Sequence, residues 1–261
     1  MSTSGTLLTN AIAIGALMTL TWLVSLVKHN ASIVDIVWGF GFVVVGWTSW
    51  AVTDTTGARS TVLLTMVTLW GLRLAGYLWW RNHGAGEDFR YAAMRRRIGS
   101  RFGLVSFVTV FVTQGALMFV VSLPLPFGMQ TDHQERVDLL TAVGVAVWAV
   151  GLCFEALGDA QLARFKSDPA NAGAVMDRGL WRYTRHPNYF GDFCVWWGIF
   201  AVGARSWPAV VSVIGPLTMS VLLLRVSGVT LLEKSLTKRR PGYAEYVSRT
   251  SAFFPRPPRG Q

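Results

Sequence analysis

Two stretches of this chain place reactive side-chain types among apolar residues. In "SIVDIVWGFGF", residues 32–42, Asp35 precedes Trp38 by three, which puts a carboxyl and an indole on one helix face, while Gly39 and Gly41 admit a close neighbour or a ligand. A carboxyl in apolar surroundings can remain protonated and donate a hydrogen bond, the requirement for polarising a ketone oxygen. Trp38 and Trp70 are the candidate pocket walls. The alternative is structural, an ion pair between Asp35 and Arg73 that fixes helix packing.

The second stretch is "EALGDAQLARFKSDPANAGAVMDRGLWRYTRHPNYFGD", residues 155–192. It gathers Glu155, Asp159 and Asp192 with Arg164, Lys166, Arg182, Arg185, His186 and Asn188. Pro187 suits the first turn of a helix, where its missing N–H would be unpaired anyway. A helix N-terminus attracts phosphate, and arginine matches phosphate oxygens in bidentate geometry, so an anionic cofactor suits this stretch. A basic loop beside a membrane accounts equally well for the cations alone.

The elements that must position these groups are membrane helices. The 261 residues are 52% hydrophobic and 15% charged, with a mean hydropathy of +0.40. A bilayer core needs about 20 mostly apolar residues per helix. That criterion predicts spans at 5–27, 31–52, 61–80, 103–123, 139–158, 189–204 and 207–232. The fold class is therefore an all-α, single membrane domain over 1–261, a bundle of seven transmembrane helices, with six possible because Arg205 and Pro208 interrupt the last pair. The first stretch is expected to be retained, having no basic residue before it and no clear small-residue cleavage site. Segment 122–138 is expected to be a turn-rich connection because of Pro124, Pro126 and Gly128.

With the N-terminus outside, the inner segments hold 19 of the 24 basic residues and the outer segments 3. This positive-inside pattern orients the C-terminus to the cytoplasm of a multi-pass cell-membrane protein, and accounts for the net charge of +10 without nucleic acid as a partner. The inner loops 81–102 and 159–188 and the tail 233–261 are expected to cap the inner mouth of the bundle. Cys153 and Cys194 lie in predicted spans with no framework spacing, and no metal is expected. "GFGFVVVG", residues 39–46, lies in a span with the wrong spacing for a dinucleotide fingerprint.

Four motifs carry a resemblance: "VDIVWGFGF" at 34–42, "GEDFRYAAMRR" at 86–96, "GLWRYTRHPNYFGD" at 179–192 and "LLEKSLTKRRPGYAEYVSRTSAFFP" at 231–255. By them the chain resembles the steroid 5-alpha-reductase family, in the bacterial branch catalogued as domain of unknown function 1295. The resemblance implies a seven-helix bundle holding NADPH in its cytoplasmic half and a flat, apolar enone, a steroid or another lipid-like small molecule, among its membrane helices. It places Glu155, Asp159, Lys166, Tyr183, Asn188 and Asp192 at the cofactor. Arg164, Arg182, Arg185 and His186 are further candidate phosphate or lid contacts. Asp35 stands roughly where the family has its substrate-polarising glutamate, one methylene shorter and preceded by Val34 where the family has glutamine. The assisting tyrosine has no clear match, Trp70 being nearest by spacing. "RHPNYFG", residues 185–191, with Glu233, Tyr243 and Tyr246, is also similar to membrane methyltransferases of the isoprenylcysteine carboxyl type, in which these elements bind S-adenosylmethionine. The alternative function is therefore a membrane methyltransferase.

Overall fold

A computed structural model describes residues 2–53, 57–130, 137–226 and 242–258. All regular structure among them is helical. Six helical segments are long and apolar enough to cross a membrane: Thr3–Lys28, Ile33–Val52, Ala58–Asn82, Phe89–Gln130, Leu139–Ser167 and Ala209–Val226. The helix expected as a further span, Pro187–Gly203, has 17 residues. At 1.5 Å per residue it reaches about 25 Å, less than the roughly 30 Å of a hydrocarbon core. Pro187 does open that helix, as its missing N–H predicts.

The chain divides into two compact units. Unit 1 comprises Met1–Thr141 and Ile199–Gly215. Its first helix, α1 (Thr3–Lys28), is capped by Ser2, whose hydroxyl accepts from the Gly5 N–H, and ends where His29 takes a left-handed φ of 49°. The buried face of α1 carries Thr6, Asn10, Thr21 and Ser25 along with Ile14 and Met18, whereas Leu8, Ile12, Leu20 and Val27 are exposed. This is the reverse of a helix in a water-soluble protein. It follows because hydrocarbon tails are as apolar as leucine, so helices gain by turning small and hydrogen-bonding residues inward. Asn10 Nδ2 accordingly donates to Ser49 Oγ of α2 (Ile33–Val52) at 2.8 Å.

Helices α2 and α3 (Ala58–Asn82) touch backbone to backbone. A Cβ at Gly39 would lie 2.7 Å from the Gly71 carbonyl oxygen, and one at Gly71 only 2.5 Å from that of Gly39. Around this crossing Trp38 packs edge-on against Phe42 at 5.1 Å, and Phe42 against Trp70 at 5.6 Å. The fourth span begins inside what the sequence presents as a loop. It comprises α4 (Phe89–Ile98), a 3-10 turn at Gly99–Arg101, α5 (Phe102–Ser106), a π-helical turn at Phe107–Val112 and α6 (Thr113–Val121). The segment 124–130, expected to be irregular, is a short helix α7 (Pro124–Gln130). Proline is compatible with a first helical turn, and Gly128 packs at 2.7 Å, measured from an added Cβ, against the Cα of Gly203. The short α10 (Trp207–Val211) also lies in this unit.

Unit 2 comprises Ala142–Gly198 and Pro216–Gln261. It contains most of α8 (Leu139–Ser167) and α9 (Pro187–Gly203), most of α11 (Ile214–Val221), a π-helical turn at Leu222–Val226 and α12 (Tyr243–Arg249). Glycines again set the spacing: a Cβ at Gly191 would lie 2.5 Å from the Gly151 carbonyl oxygen, and one at Gly198 2.7 Å from that of Gly144.

Because the atoms facing Gly39 and Gly191 are backbone, neither can yield to a side chain. Gly39→Val and Gly191→Val should each lower the melting temperature in detergent by several degrees or prevent folding. Gly15→Ala, with nothing within 4 Å of the added Cβ, should leave it unchanged or slightly raised, as followed by tryptophan fluorescence during heating.

Candidate functional site

The side chains that could act in unit 1 meet where the start of α2 faces the start of α4. Asp88 caps α4, its Oδ1 accepting from the Arg90 N–H at 3.0 Å and from Arg90 Nε at 2.8 Å. One turn of helix then carries Arg90 and Tyr91 back to Asp35. Arg90 Nη2 donates to Asp35 Oδ2 at 2.6 Å, and the Tyr91 hydroxyl donates to Asp35 Oδ1 at 2.8 Å. Tyr91 is buried, whereas the Arg90 side chain is 47% exposed and that of Asp35 18%. The carboxylate thus has a fixed phenol on one oxygen and a guanidinium that reaches solvent on the other.

Arg90, rather than the expected Arg73, is the arginine bonded to Asp35. Arg73 instead lies over the Tyr77 ring, 5.9 Å from its centroid. Tyr91 is a tyrosine beside Asp35 that spacing alone did not find. Its signal was present in "GEDFRYAAMRR", a charged motif running into a long apolar stretch, which is a pattern for a helix start at a membrane surface rather than for a free loop. Trp38 is half-buried and Trp70 fully buried, so the latter is a wall without an open face.

A second layer holds this clasp shut. Glu87 accepts from Arg95 Nε and Nη2 at 2.8 and 2.7 Å and from the Ala31 N–H at 2.8 Å, and the Asp88 N–H donates to Ser32 Oγ at 2.6 Å. The hydrogen bond from Arg95 outweighs partial burial and holds the Glu87 carboxyl below the usual glutamate range. At Asp88 burial acts upward, but the bonds from Arg90 overcome it and the net direction is also down. A lowered folded-state value stabilises the clasp at pH above the ordinary carboxylate value and loses that stability as pH falls through the lowered one. The melting temperature should therefore be flat from neutral pH down to about 4.5 and drop below it. Glu87→Gln should lower the neutral-pH plateau and flatten the acid limb.

In unit 2 the close crossing of α8 and α9 gathers the predicted polar set. Glu155 and Asp159, one turn apart on α8, are 3% and 5% exposed. Asn188, in the first turn of α9, donates from Nδ2 to Asp159 Oδ1 at 3.2 Å and accepts from the Tyr189 N–H through Oδ1 at 3.1 Å. Gly191 passes so near Glu155 that an added Cβ would lie 2.6 Å from its backbone nitrogen. Asp192 follows, half-buried. Arg164, Lys166, Arg182 and Tyr183 are exposed on the segments that flank this cluster. Glu233 lies outside the described residues. Among those described, no group of three His, Cys, Asp or Glu side chains could hold a metal ion.

Arg185, His186, Tyr243 and Tyr246 are buried instead in the docking of the C-terminal segment. Arg185 Nη1 donates to the carbonyls of Val247, at 3.1 Å, and Thr250, and its N–H donates to the Ser251 carbonyl at 2.9 Å. Thr184 Oγ1 donates to the Phe253 carbonyl at 2.7 Å, and the Arg256 N–H to the Tyr183 carbonyl at 3.0 Å. The Tyr246 hydroxyl donates to the Trp181 carbonyl, and burial pushes its phenol well above the ordinary tyrosine value. The His186 ring stacks on Tyr189 at 5.3 Å and 5°. As placed, the arginine of "RHPNYFG" anchors the tail. Arg185→Met should leave two carbonyls short of a charged donor and cost about 2–4 kcal/mol. Limited proteolysis should then cut within 242–258 at protease levels that leave the parent chain intact.

Comparison with known proteins finds a family and a distant relative by sequence. An uncharacterized protein of Schizosaccharomyces pombe is 22% identical, the match covering 95% of this chain and 80% of the relative. No solved structure matches. Residues 21–250, which include both polar clusters and the docked α12, match the family described as a protein of unknown function, DUF1295, and the chain belongs to that family.

Proposed function

We propose that this protein is a membrane-embedded reductase that uses NADPH to saturate the activated C=C bond of an apolar enone, like a 3-oxo-5-alpha-steroid 4-dehydrogenase. The observation that carries this reading is the Tyr91–Asp35 pair, a phenol and a carboxylate joined at 2.8 Å at the start of a membrane helix, beside an aromatic run. Its family, steroid 5-alpha-reductase-like, supports the same chemistry. In this reading the 17-residue Pro187–Gly203, at the short limit of a spanning helix, makes a seventh crossing, with the N-terminus outside and the C-terminus and cofactor residues facing the cytoplasm, as the distribution of basic residues favours.

The residues of unit 2 fit a dinucleotide by their chemistry. Glu155, Asp159 and Asp192 supply acceptors for ribose hydroxyls and a carboxamide, Asn188 supplies both donor and acceptor, and Arg164, Lys166 and Arg182 supply charge for phosphates. When bound, NADPH supplies the hydride for the β-carbon of the enone. The Tyr91 hydroxyl turns from Asp35 to the ketone oxygen and donates to it, while Asp35 stays paired with Arg90. Arg90 offsets the charge that develops as the oxygen becomes an enolate, and the enolate takes a proton from solvent at its α-carbon to give the saturated ketone. Trp38 and Phe42 align a flat substrate and exclude water.

Two measurements test this. NADPH should quench the intrinsic tryptophan fluorescence of the detergent-purified protein, and Asn188→Leu should weaken that binding tenfold or more. If S-adenosylmethionine binds and NADPH does not, the protein is instead a methyltransferase of the type that shares "RHPNYFG". Tyr91→Phe should lower kcat for enone reduction by about 10²–10³ while leaving the NADPH affinity within twofold.

A further inference from the structure

At one end of unit 1 a crevice of about 280 Å³ opens between the last turns of α1 and the Gly99–Ser106 stretch, walled by Ser25, His29, Arg95, Ser100 and Phe102. Its two walls are held in register by one bond. Trp22 Nε1 donates to the Gly103 carbonyl at 2.9 Å, which sets residue 22 of α1 level with the start of α5. Leu20 and Leu23 of α1, and Leu104 and Val108 on the other side, are exposed apolar residues at or inside that level. From Trp22 to His29 the helix rises about 10 Å, so the crevice runs from the tryptophan to the end of α1, where the apolar run gives way to Lys28 and His29, the pattern of a helix end at a headgroup layer. A tryptophan bonded at this level is the usual marker of the interface.

The charges at that level are one-sided. Lys28, Arg96, Arg97 and Arg101 are exposed and make no ion pair among the described residues. Arg95 lies over the Phe102 ring at 4.4 Å and spends two of its N–H groups on Glu87, which leaves donors on the remainder of its guanidinium. Glu87 is in turn committed to Arg95 and the Ala31 N–H. A concave, arginine-floored opening at headgroup depth, continuous with exposed leucine and valine, matches a phosphate that carries acyl chains.

We propose that this crevice binds the headgroup phosphate of an acidic glycerophospholipid, with the acyl chains lying along α1 and the Phe107–Val112 turn. The assignment is independent of the reductase reading: the crevice shares only Arg95 with the clasp, and it uses donors that Glu87 leaves free.

The test is native mass spectrometry of the full-length protein in detergent, titrated with phosphatidylglycerol or with phosphatidylcholine of the same chains. Phosphatidylglycerol should be retained at least tenfold more tightly. Each cation near a membrane surface contributes about fivefold to such binding, so Arg97→Gln with Arg101→Gln should weaken it tenfold or more. Ser100→Trp, which fills the crevice and leaves the charge unchanged, should do the same. Arg81→Gln with Arg178→Gln, an equal loss of charge elsewhere, should change it less than twofold. Equal affinity for the two lipids, equal loss in the two charge-reduced pairs, or displacement of the lipid by millimolar glycerol phosphate would each overturn the proposal.

Discussion

Close backbone approach of helices is the constraint on which both polar clusters depend. In a bilayer the hydrophobic effect does not press helices together, so packing must come from van der Waals contact and hydrogen bonds, and both need small residues at the crossing. Gly39 and Gly71 meet this need between α2 and α3, and Gly151 and Gly191 between α8 and α9. The consequences are chemical as well as mechanical. Gly39 lies one turn beyond Asp35, and Gly191 lies one turn beyond Asn188 and faces the backbone of Glu155. The Gly191 contact draws Asn188 to Asp159, whereas the Gly39 contact fixes α2 against α3, after which the chain turns back to bring α4 to Asp35. A larger residue at these crossings would disperse the side chains that carry the chemistry while leaving the hydropathy of the helices nearly unchanged.

The second constraint is charge. A carboxylate at the centre of a membrane helix costs about 2.5–3.5 kcal/mol on insertion scales. Asp35 avoids the full cost by standing in the first turn of its helix and by meeting Arg90 and Tyr91. These two partners differ in kind. Tyr91 is buried and its phenol is held in one place, whereas Arg90 is half-exposed and also bonded to the helix cap Asp88. Removing the phenol takes away a donor and leaves the ion pair. Removing the guanidinium leaves a carboxylate without its countercharge, so the two deletions are expected to separate chemistry from stability.

Much of this was legible in the sequence, for reasons that differ along the chain. Long apolar stretches announce membrane helices because nothing else can satisfy the backbone in hydrocarbon. Pro187 marked the start of α9 through its missing N–H. The stretch 81–102, expected as a loop, contains the ten-residue polar helix α4, which Gly99 at φ 71° separates from the apolar helix that follows. Tyr91 was missed with it. Its partner Asp35 lies 56 residues away, and neither periodicity nor composition encodes which of several tyrosines a distant carboxylate meets. Pro124–Gln130 escaped because prolines were read as breakers, although one at the first helical position is tolerated.

The element "RHPNYFG" bears on the choice between the two enzyme classes in an unexpected way. The proposed reductase reading and its methyltransferase alternative draw on this same element for different cofactors. Here its arginine donates to the carbonyls of Val247 and Thr250, its histidine stacks on its tyrosine, its proline starts α9 and its glycine admits α8. Each of those roles builds the fold of unit 2 and docks its tail, and none selects a cofactor. An element that secures architecture is expected wherever that architecture recurs, whatever the bound molecule. Discrimination must then rest on the chemistry of the polar groups gathered beside the element. Those are Glu155, Asp159 and Asp192, with Asn188 bonded to Asp159. Three carboxylates and an amide suit the hydroxyls of a ribose and the amide of a nicotinamide, and that is the physical ground on which the reductase reading stands ahead of its rival.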